Sequence, residues 1–271
     1  MRPKEITRMH GVTCPMLAVL LTCLSTQSVP AETANDLCGA TLVANLKLDH
    51  DLTCAGDGLI VGADGIKINL NGHTLTGLGT GVGITVIGRT KVSIMGGAVQ
   101  GFAVAVRMTN STDIAIKQNV FRGNGEGIDL QAGSIGNVIK ENEFQNSSIR
   151  GIMLRSNARQ NVVKENTFTD NSIGIQVFGG VDNILKENLF SASTLVGIRF
   201  GVIATGNLMM ENTISSNVVG IEFVRTPTGS AIGNTFLENR IEVNDCGIKG
   251  PTAGNTFNEN VFERNTVDSC P

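Results

Sequence analysis

The chain has 271 residues, a formal net charge of −3, 33 glycines and 6 prolines. Its glycine content argues against a helical bundle, because Gly in a helix interior costs about 1 kcal/mol relative to Ala. The charge balance offers no basic footprint for nucleic acid. Trp and Tyr are absent, which removes two of the rings that serve as flat stacking surfaces in binding sites.

The N-terminus reads as a secretory signal over residues 1–31. Arg2, Lys4 and Arg8 give a positive start, Met16 to Leu24 is a short apolar run, and the segment ends in Val29-Pro30-Ala31, with cleavage expected after Ala31. The run is shorter than the ~20 apolar residues a transmembrane helix needs, and no second run follows. Cys23 follows Thr22, a poor match to a lipoprotein site. These features predict a soluble mature chain, secreted or periplasmic, with no transmembrane segment. Residues 32–58 read as an N-terminal cap, 59–267 as a repeat domain and 268–271 as a C-terminal tail.

The repeat is carried by NVIKENEF from Asn137, NVVKENTF from Asn161, NILKENLF from Asn183, NLMMENTI from Asn207, NTFLENRI from Asn234 and NTFNENVF from Asn255, with a degenerate copy from Asp113. A Gly-Ile pair recurs in step at Gly127, Gly151, Gly174, Gly197, Gly220 and Gly247. Each unit holds short alternating apolar stretches, such as Ile152-Met153-Leu154, separated by Asn, Gly and Ser. Period-2 alternation reads as strand, and Asn and Gly supply the bends. Units of this length built from short strands predict an all-β, single-stranded parallel β-helix of about 22–24 residues per coil, a solenoid of stacked repeats, and a family resemblance implies its right-handed form. The first half alternates less regularly, as in Ile66 to Leu70, Val92 to Ile94 and Ile114 to Ile116.

Stacked coils lie about 4.8 Å apart, so each recurring residue sits over its own copy. Asn119, Asn142, Asn166, Asn188, Asn212, Asn239 and Asn260 are expected to form an inward amide ladder, each side chain bonding to the next as in cross-β stacks. Phe121, Phe144, Phe168 and Phe190, continued by Ile214, Ile241 and Phe262, are expected to stack as a second column.

The stretches INLNGHTLTG from Ile68 and VSIMGGAVQGF from Val92, with the repeats above, resemble the right-handed parallel β-helix repeat proteins of the pectin lyase-like superfamily. The Cys38-Gly39 opening and the stretch DLTCAGDGLIVGADGI from Asp51 look like secreted bacterial β-helix proteins of unassigned activity. The resemblance covers residues 37–270. It implies the fold; the superfamily hosts lyases, hydrolases, epimerases, adhesins and scaffolds, so function has to be argued from the site.

Cys14 and Cys23 leave with the signal. Cys38, Cys54, Cys246 and Cys270 remain, an even number for an oxidising compartment. Cys246 and Cys270 lie one coil apart, and Cys38 and Cys54 flank the N-terminal end of the solenoid, where a bridge would staple its cap. The expected bridges are Cys38–Cys54 and Cys246–Cys270, stapling the two ends at roughly 3 kcal/mol each by loop closure.

Of the three histidines, His10 leaves with the signal, His50 between Asp49 and Asp51 reads as a solvated residue, and His73 reads as a structural turn residue. Glu141, Glu165, Glu187, Glu211, Glu238 and Glu259 form a carboxylate column whose oxygens suit a cation such as calcium. Lys140, Lys164 and Lys186 precede three of them, and a solvated, neutralised row is the expectation, with no resident metal or cofactor.

The residue after each Gly-Ile points outward: Asp129, Met153, Gln176, Arg199, Glu222 and Lys249. By the resemblance, this exposed face is where β-helix enzymes hold substrate, and Asp129, Gln176, Arg199, Glu222 and Lys249 are the candidate binding residues. Asp129 has no acid in the next coils of its column. The superfamily's catalytic sets are missing: the Asp-Pro-His-Asp of alginate epimerases, and the Asn-Thr-Asp, Asp-Asp and Gly-His-Gly of polygalacturonases. The longest insertion, Arg225 to Gly233, holds one charged group. The leading expectation is a scaffold or binding protein contacting extracellular polysaccharide or cell envelope. The alternative is a polysaccharide lyase, hydrolase or epimerase with an unfamiliar site. A third reading is periplasmic metal delivery, because copper-related proteins of nitrous oxide reduction resemble this fold; the lack of clustered Cys, His and Met opposes it.

Overall fold

The computed structural model describes residues 37–225 and 229–271. The signal segment with its Ala31 cleavage site, and residues 226–228 of the insertion, lie outside the described residues.

Three parallel sheets of 11, 10 and 10 strands run the length of the described chain. Each coil gives one strand to each sheet. Glu126–Leu130 enters the first, Val138–Lys140 the second and Glu143–Gln145 the third. The next coil lays Arg150–Leu154, Val162–Lys164 and Thr167–Thr169 directly on them in parallel register. Among the described residues there is no helix. The fold is a right-handed parallel β-helix of about 10 turns of about 23 residues. The first coil starts earlier than the sequence implied. Thr41–Leu42, Leu46–Lys47 and Leu52–Cys54, inside the stretch read as a cap, already pair with the coil above. At the other end, Val267–Cys270 is still a strand of the first sheet.

Alternate side chains point inward and stack into apolar columns. In the first sheet Ile128, Ile152, Ile175, Ile198, Ile221 and Ile248 lie in register. In the third, Phe121, Phe144, Phe168 and Phe190 stack with ring centroids 4.9, 4.7 and 4.6 Å apart, followed in register by Ile214, Ile241 and Phe262. The recurring glycine before each Ile is explained by this stack rather than by a left-handed backbone. A Cβ on Gly127 would lie 2.4 Å from the Gly151 carbonyl oxygen and 2.7 Å from Phe144 Cδ1, and one on Gly151 would lie 2.7 Å from Phe168 Cδ1. The glycines make room for the rings of the neighbouring coil.

Three short strands cannot turn a corner without stranding backbone groups inside, and buried polar groups need partners. The Asn column meets this need between the second and third sheets. Asn142 Nδ2 donates to Asn166 Oδ1 at 3.0 Å, Asn166 to Asn188 at 3.0 Å and Asn188 to Asn212 at 3.0 Å. Each Oδ1 also accepts the backbone N–H of the preceding Asn in the ladder, as Asn188 does from Asn166 at 3.0 Å. Sequence reading found this ladder but missed two more. Asn137, Asn161, Asn183, Asn207, Asn234 and Asn255 line the corner between the first and second sheets. Asn171, Asn217, Asn244 and Asn265, interleaved with Ser147 and Ser193, line the third corner. In the first coils Asp51, Asp57 and Asp64 take the same place, accepting the N–H of Thr74, Val82 and Thr90.

The glutamate before each ladder Asn holds a left-handed bend, with φ of 55° at Glu141, 57° at Glu165, 54° at Glu187 and 55° at Glu211. Lys140 Nζ lies 2.7 Å from Glu141, Lys164 Nζ 2.8 Å from Glu165, and Lys186 bridges Glu187 and Glu211 at 3.3 and 3.4 Å.

Both expected disulfides are present, with Cα separations of 5.5 Å for Cys38–Cys54 and 6.2 Å for Cys246–Cys270. The second bridge is not a vertical stack, as its one-coil spacing implied. Cys246 lies beside Val267 and Cys270 beside Lys249, so the bond runs diagonally between neighbouring strands at the edge of the first sheet.

The ladder predicts unequal costs. Asn166→Ala removes an acceptor for two N–H groups of Asn142 and leaves the carbonyl of Ile139 without its amide donor; such buried groups cost about 1–3 kcal/mol each when unsatisfied. Asn260 ends its ladder and is only partly buried, so water replaces what Asn260→Ala removes. The melting temperature should fall further for Asn166→Ala, and equal shifts would contradict the ladder's energetic role.

Candidate binding face

The strands of the first sheet are the longest, five or six residues through the middle of the solenoid against three in the other two sheets. Its outer surface is therefore the broadest regular face. The outward row expected from the Gly-Ile repeat, Asp129, Met153, Gln176, Arg199, Glu222 and Lys249, lies in register along it, and Arg107 precedes it in the same column.

The row is not uniformly exposed, which corrects the sequence reading. The Asp129 side chain is 1% exposed, and Met153 is also buried. Long neighbours cover them. Arg155 Nε lies 2.6 Å from Asp129 Oδ1, Gln131 Nε2 donates to Oδ2 at 2.9 Å, and Arg107 Nε stands 3.7 Å away. Arg150 Nη1 reaches Met153 Sδ at 3.1 Å. A second carboxylate, Glu126, lies three residues before Asp129 on the same strand, 3.7 Å from both Arg150 and Arg155. Further along, Glu222 joins Arg199 at 2.5 Å and Lys249 at 3.4 Å. The face thus brings together Arg199, Glu222 and Lys249, and sets Asp129 apart from them within an arginine cluster.

The sequence reading missed Glu126, Arg107, Arg150 and Arg155 as site residues. A signal for two of them existed. Val82, Val104, Glu126 and Arg150 share one register column, and its continuation through Ile173, Val196, Val219 and Cys246 is apolar. One adjacent acid–base pair in an apolar column marks a local departure from the scaffold. Phe178 was missed too. It follows the strand Ile173–Val177, is 40% exposed, and its ring lies over Gly201, where a Cβ would meet Phe178 Cδ2 at 2.5 Å.

In both charge clusters the cations are outermost. Arg155 is 41% exposed above Asp129, and Lys249 is 46% exposed beside Glu222 at 14%. Three guanidiniums face two carboxylates in the first cluster, and two cations face one carboxylate in the second. Glu126 Oε2, Arg107 Nε and Arg150 Nε are buried without a hydrogen-bond partner, so charge holds Glu126 in the cluster, while Arg155 and Gln131 hydrogen-bond Asp129. Buried carboxylates hold the cations, and the side chains of Arg107 and Arg155 are 36% and 41% exposed; guanidinium groups match the oxygens of anionic ligands in geometry. Among the described residues, no group of three or more His, Cys, Asp or Glu side chains is placed to hold a metal ion. His73 stays at its turn, 3.3 Å from Asp51, and His50 contacts Asp49.

Burial pushes the Glu126 carboxyl up from the usual carboxylate range, against the opposing pull of Arg150. The hydrogen bond to Asp129 raises Arg155, while burial lowers Arg150. A glutamate whose folded-state pKa exceeds its unfolded one of ~4.3 loses stability as pH climbs between the two values. Wild-type stability should therefore fall relative to Glu126→Gln as pH rises above the unfolded glutamate range, then hold a constant gap. Melting temperatures of both proteins between pH 4 and 8 measure it. A gap that moves in favour of wild type with rising pH would show that the arginine pairs outweigh burial.

Solved structures with this fold include an alginate lyase from Paenibacillus sp. (16% identity, 85% of this chain and 90% of that one, TM-score 0.61). The mannuronan C-5 epimerase A-module of Azotobacter vinelandii is similar at 11% identity, over 85% of this chain and 78% of that one, with a TM-score of 0.57. The tailspike of E. coli bacteriophage HK620 is similar at 11% identity, over 81% of this chain and 49% of that one, with a TM-score of 0.59. At these identities the likeness is one of fold. No curated protein sequence matches the chain. Residues 64–269 match the family described as "Periplasmic copper-binding protein (NosD)", and with most of its length covered the chain belongs to that family.

Proposed function

We propose that the chain works outside the cytoplasm as a binding protein that holds an acidic polysaccharide, free or in the cell envelope, on the outer face of the first sheet. The observation that carries this reading is the layering of the charges there: exposed cations over buried carboxylates, in two clusters on one flat face. Arg199, Lys249, Arg107 and Arg155 are the contact residues. Gln176 lies between the clusters, and Asp129 and Glu222 act beneath as counter-charges. No helix among the described residues is long and apolar enough to cross a membrane. The family's periplasmic description supports the location, and the polysaccharide enzymes that share the fold support the ligand class by analogy.

Copper, in the family's description, calls for thiolate, thioether or imidazole donors. Among the described residues all four cysteines are in disulfides, His73 contacts Asp51 and His50 contacts Asp49, and Met153 is engaged by Arg150. This donor set does not fit a copper site.

Calorimetric titration of the mature protein with acidic and neutral oligosaccharides tests the reading. Binding to the acidic ones should weaken as salt shortens the Debye length from ~10 Å toward ~3 Å, and Arg155→Ala should reduce affinity by about tenfold. Equal affinity for neutral glycans, or none for any, would refute it. The raised Glu126 favours a second reading as a lyase or hydrolase, since carboxyls lifted in this way serve as general acids. The same incubations assayed for unsaturated or reducing-end products decide between the two: turnover abolished by Glu126→Gln would make the face an active site.

A further inference from the structure

The two charge clusters share one plan. Asp129 takes a cation from the strand on either side of it: Arg107 stands on Val104–Thr109, Arg155 follows Arg150–Leu154, and both side chains converge on the carboxylate. Glu222 does the same with Arg199 from Val196–Phe200 and Lys249 from Cys246–Lys249. Each cluster is thus centred over the strand that carries its carboxylate, Glu126–Leu130 in one case and Val219–Phe223 in the other. Asp129, Met153, Gln176, Arg199 and Glu222 are successive positions of one register column, so the two centres lie four strand spacings, about 19 Å, apart. With the carboxylates ionised, each cluster has one cation in excess: three against two in the first, two against one in the second.

The interval between the clusters differs in chemistry. Met153 is buried, and Arg150 beside it is turned to Glu126 with 17% of its side chain exposed. The middle strand, Ile173–Val177, carries the half-buried Gln176 and is followed by Phe178, 40% exposed. An amide and an apolar ring suit the hydroxyls and C–H groups of a neutral sugar. A carboxylate placed there loses water with no cation of its own to meet it.

Building on the glycan reading, we infer that this face is a two-point clamp for an acidic polysaccharide whose anionic groups stand about four sugars apart, with neutral sugars between them. A pyranose ring in an extended chain advances by about one strand spacing. A chain lying along the solenoid axis therefore sets the first ring of a pentasaccharide over one cluster and the fifth over the other. The anionic group of the first meets Arg107 and Arg155, that of the fifth meets Arg199 and Lys249, and the third ring passes over Gln176. One excess cation at each cluster matches one anionic group. Once the first is bound, the second contact is intramolecular, and its gain depends on the spacing of the charges rather than on their number.

Galacturonate oligomers of three and five residues, and a pentamer methyl-esterified on its three inner residues, are titrated calorimetrically against the mature protein at fixed salt. The trimer reaches one cluster at a time. The free pentamer should bind at least about tenfold more tightly than the trimer. The inner-esterified pentamer, with two charges in place of five, should bind as tightly as the free one. Lys249→Ala should bring both pentamers close to the trimer, with circular dichroism and melting confirming the fold of the variant. If affinity follows the number of carboxylates, so that the esterified pentamer falls to the level of the trimer or below, the clamp is wrong while the glycan reading stands. The same holds if the trimer binds as tightly as the pentamers. If none of these acids binds, or vesicles of anionic phospholipid bind in their place, both readings fail together.

Discussion

Parallel backbone hydrogen bonding between coils sets one repeat distance for the whole molecule. Every strand lies directly on its copy from the previous coil, so a sequence repeat becomes a vertical column and each column must be compatible with itself. A column of branched aliphatics or of phenylalanines is compatible because like surfaces pack. A column of asparagines is compatible because an amide carries donor and acceptor on one side chain. A column of buried like charges is not. The carboxylates that recur at every coil, from Glu141 to Glu259, therefore sit on exposed bends, and lysines are inserted beside the first three.

Legibility followed from the same constraint. The inward columns and the Asn119-to-Asn260 ladder could be read because they repeat in nearly every unit, and the register bears them out. The ladder through Asn137, Asn161 and Asn183 was equally regular and served to align the units, but nothing local to it distinguishes a corner from a strand start. The third corner alternates Asn with Ser at Ser147 and Ser193, and that broken pattern hid it. The disulfide partners followed from spacing, whereas the diagonal register between Cys246 and Cys270 depends on where the last corner falls.

The charged face was legible only as a row. Its depth was not, because exposure there depends on side-chain length across neighbouring coils. Arg155 lies beyond the end of its strand and reaches back one coil to Asp129, so an outward aspartate becomes buried. Glu126 sits in a column that is otherwise apolar, and its burial beside Arg150 carries a desolvation cost that ion pairing at 3.7 Å only partly offsets. Such an arrangement does little for stability when a pair of apolar residues, the choice made at Ile173 and Val196, would pack in the same column. Its retention at one place on the solenoid is an argument that the site has work other than folding.

The insertion bears on how firmly this face is held. Between Asn207 and Asn234 the repeat lengthens to 27 residues, yet Asn207 still donates to Asn234 at 2.9 Å and Arg199, Glu222 and Lys249 remain in register. The extra residues leave at a corner, after Phe223 and before the second sheet resumes at Thr235. The ladder continues across the lengthened repeat, and the first sheet carries no record of the added length. The strand positions of Arg199, Glu222 and Lys249 are thus insulated from the change in loop length. A ligand that bridges several coils meets groups whose separation was fixed when the chain folded, and it need not bring a backbone into order on binding. The ordering cost that usually reduces affinity at flexible sites falls here mainly on the long side chains of Arg155 and Lys249. The carboxylates of Asp129 and Glu222 reduce that part as well, by holding Arg155 and Lys249 across to the neighbouring strand.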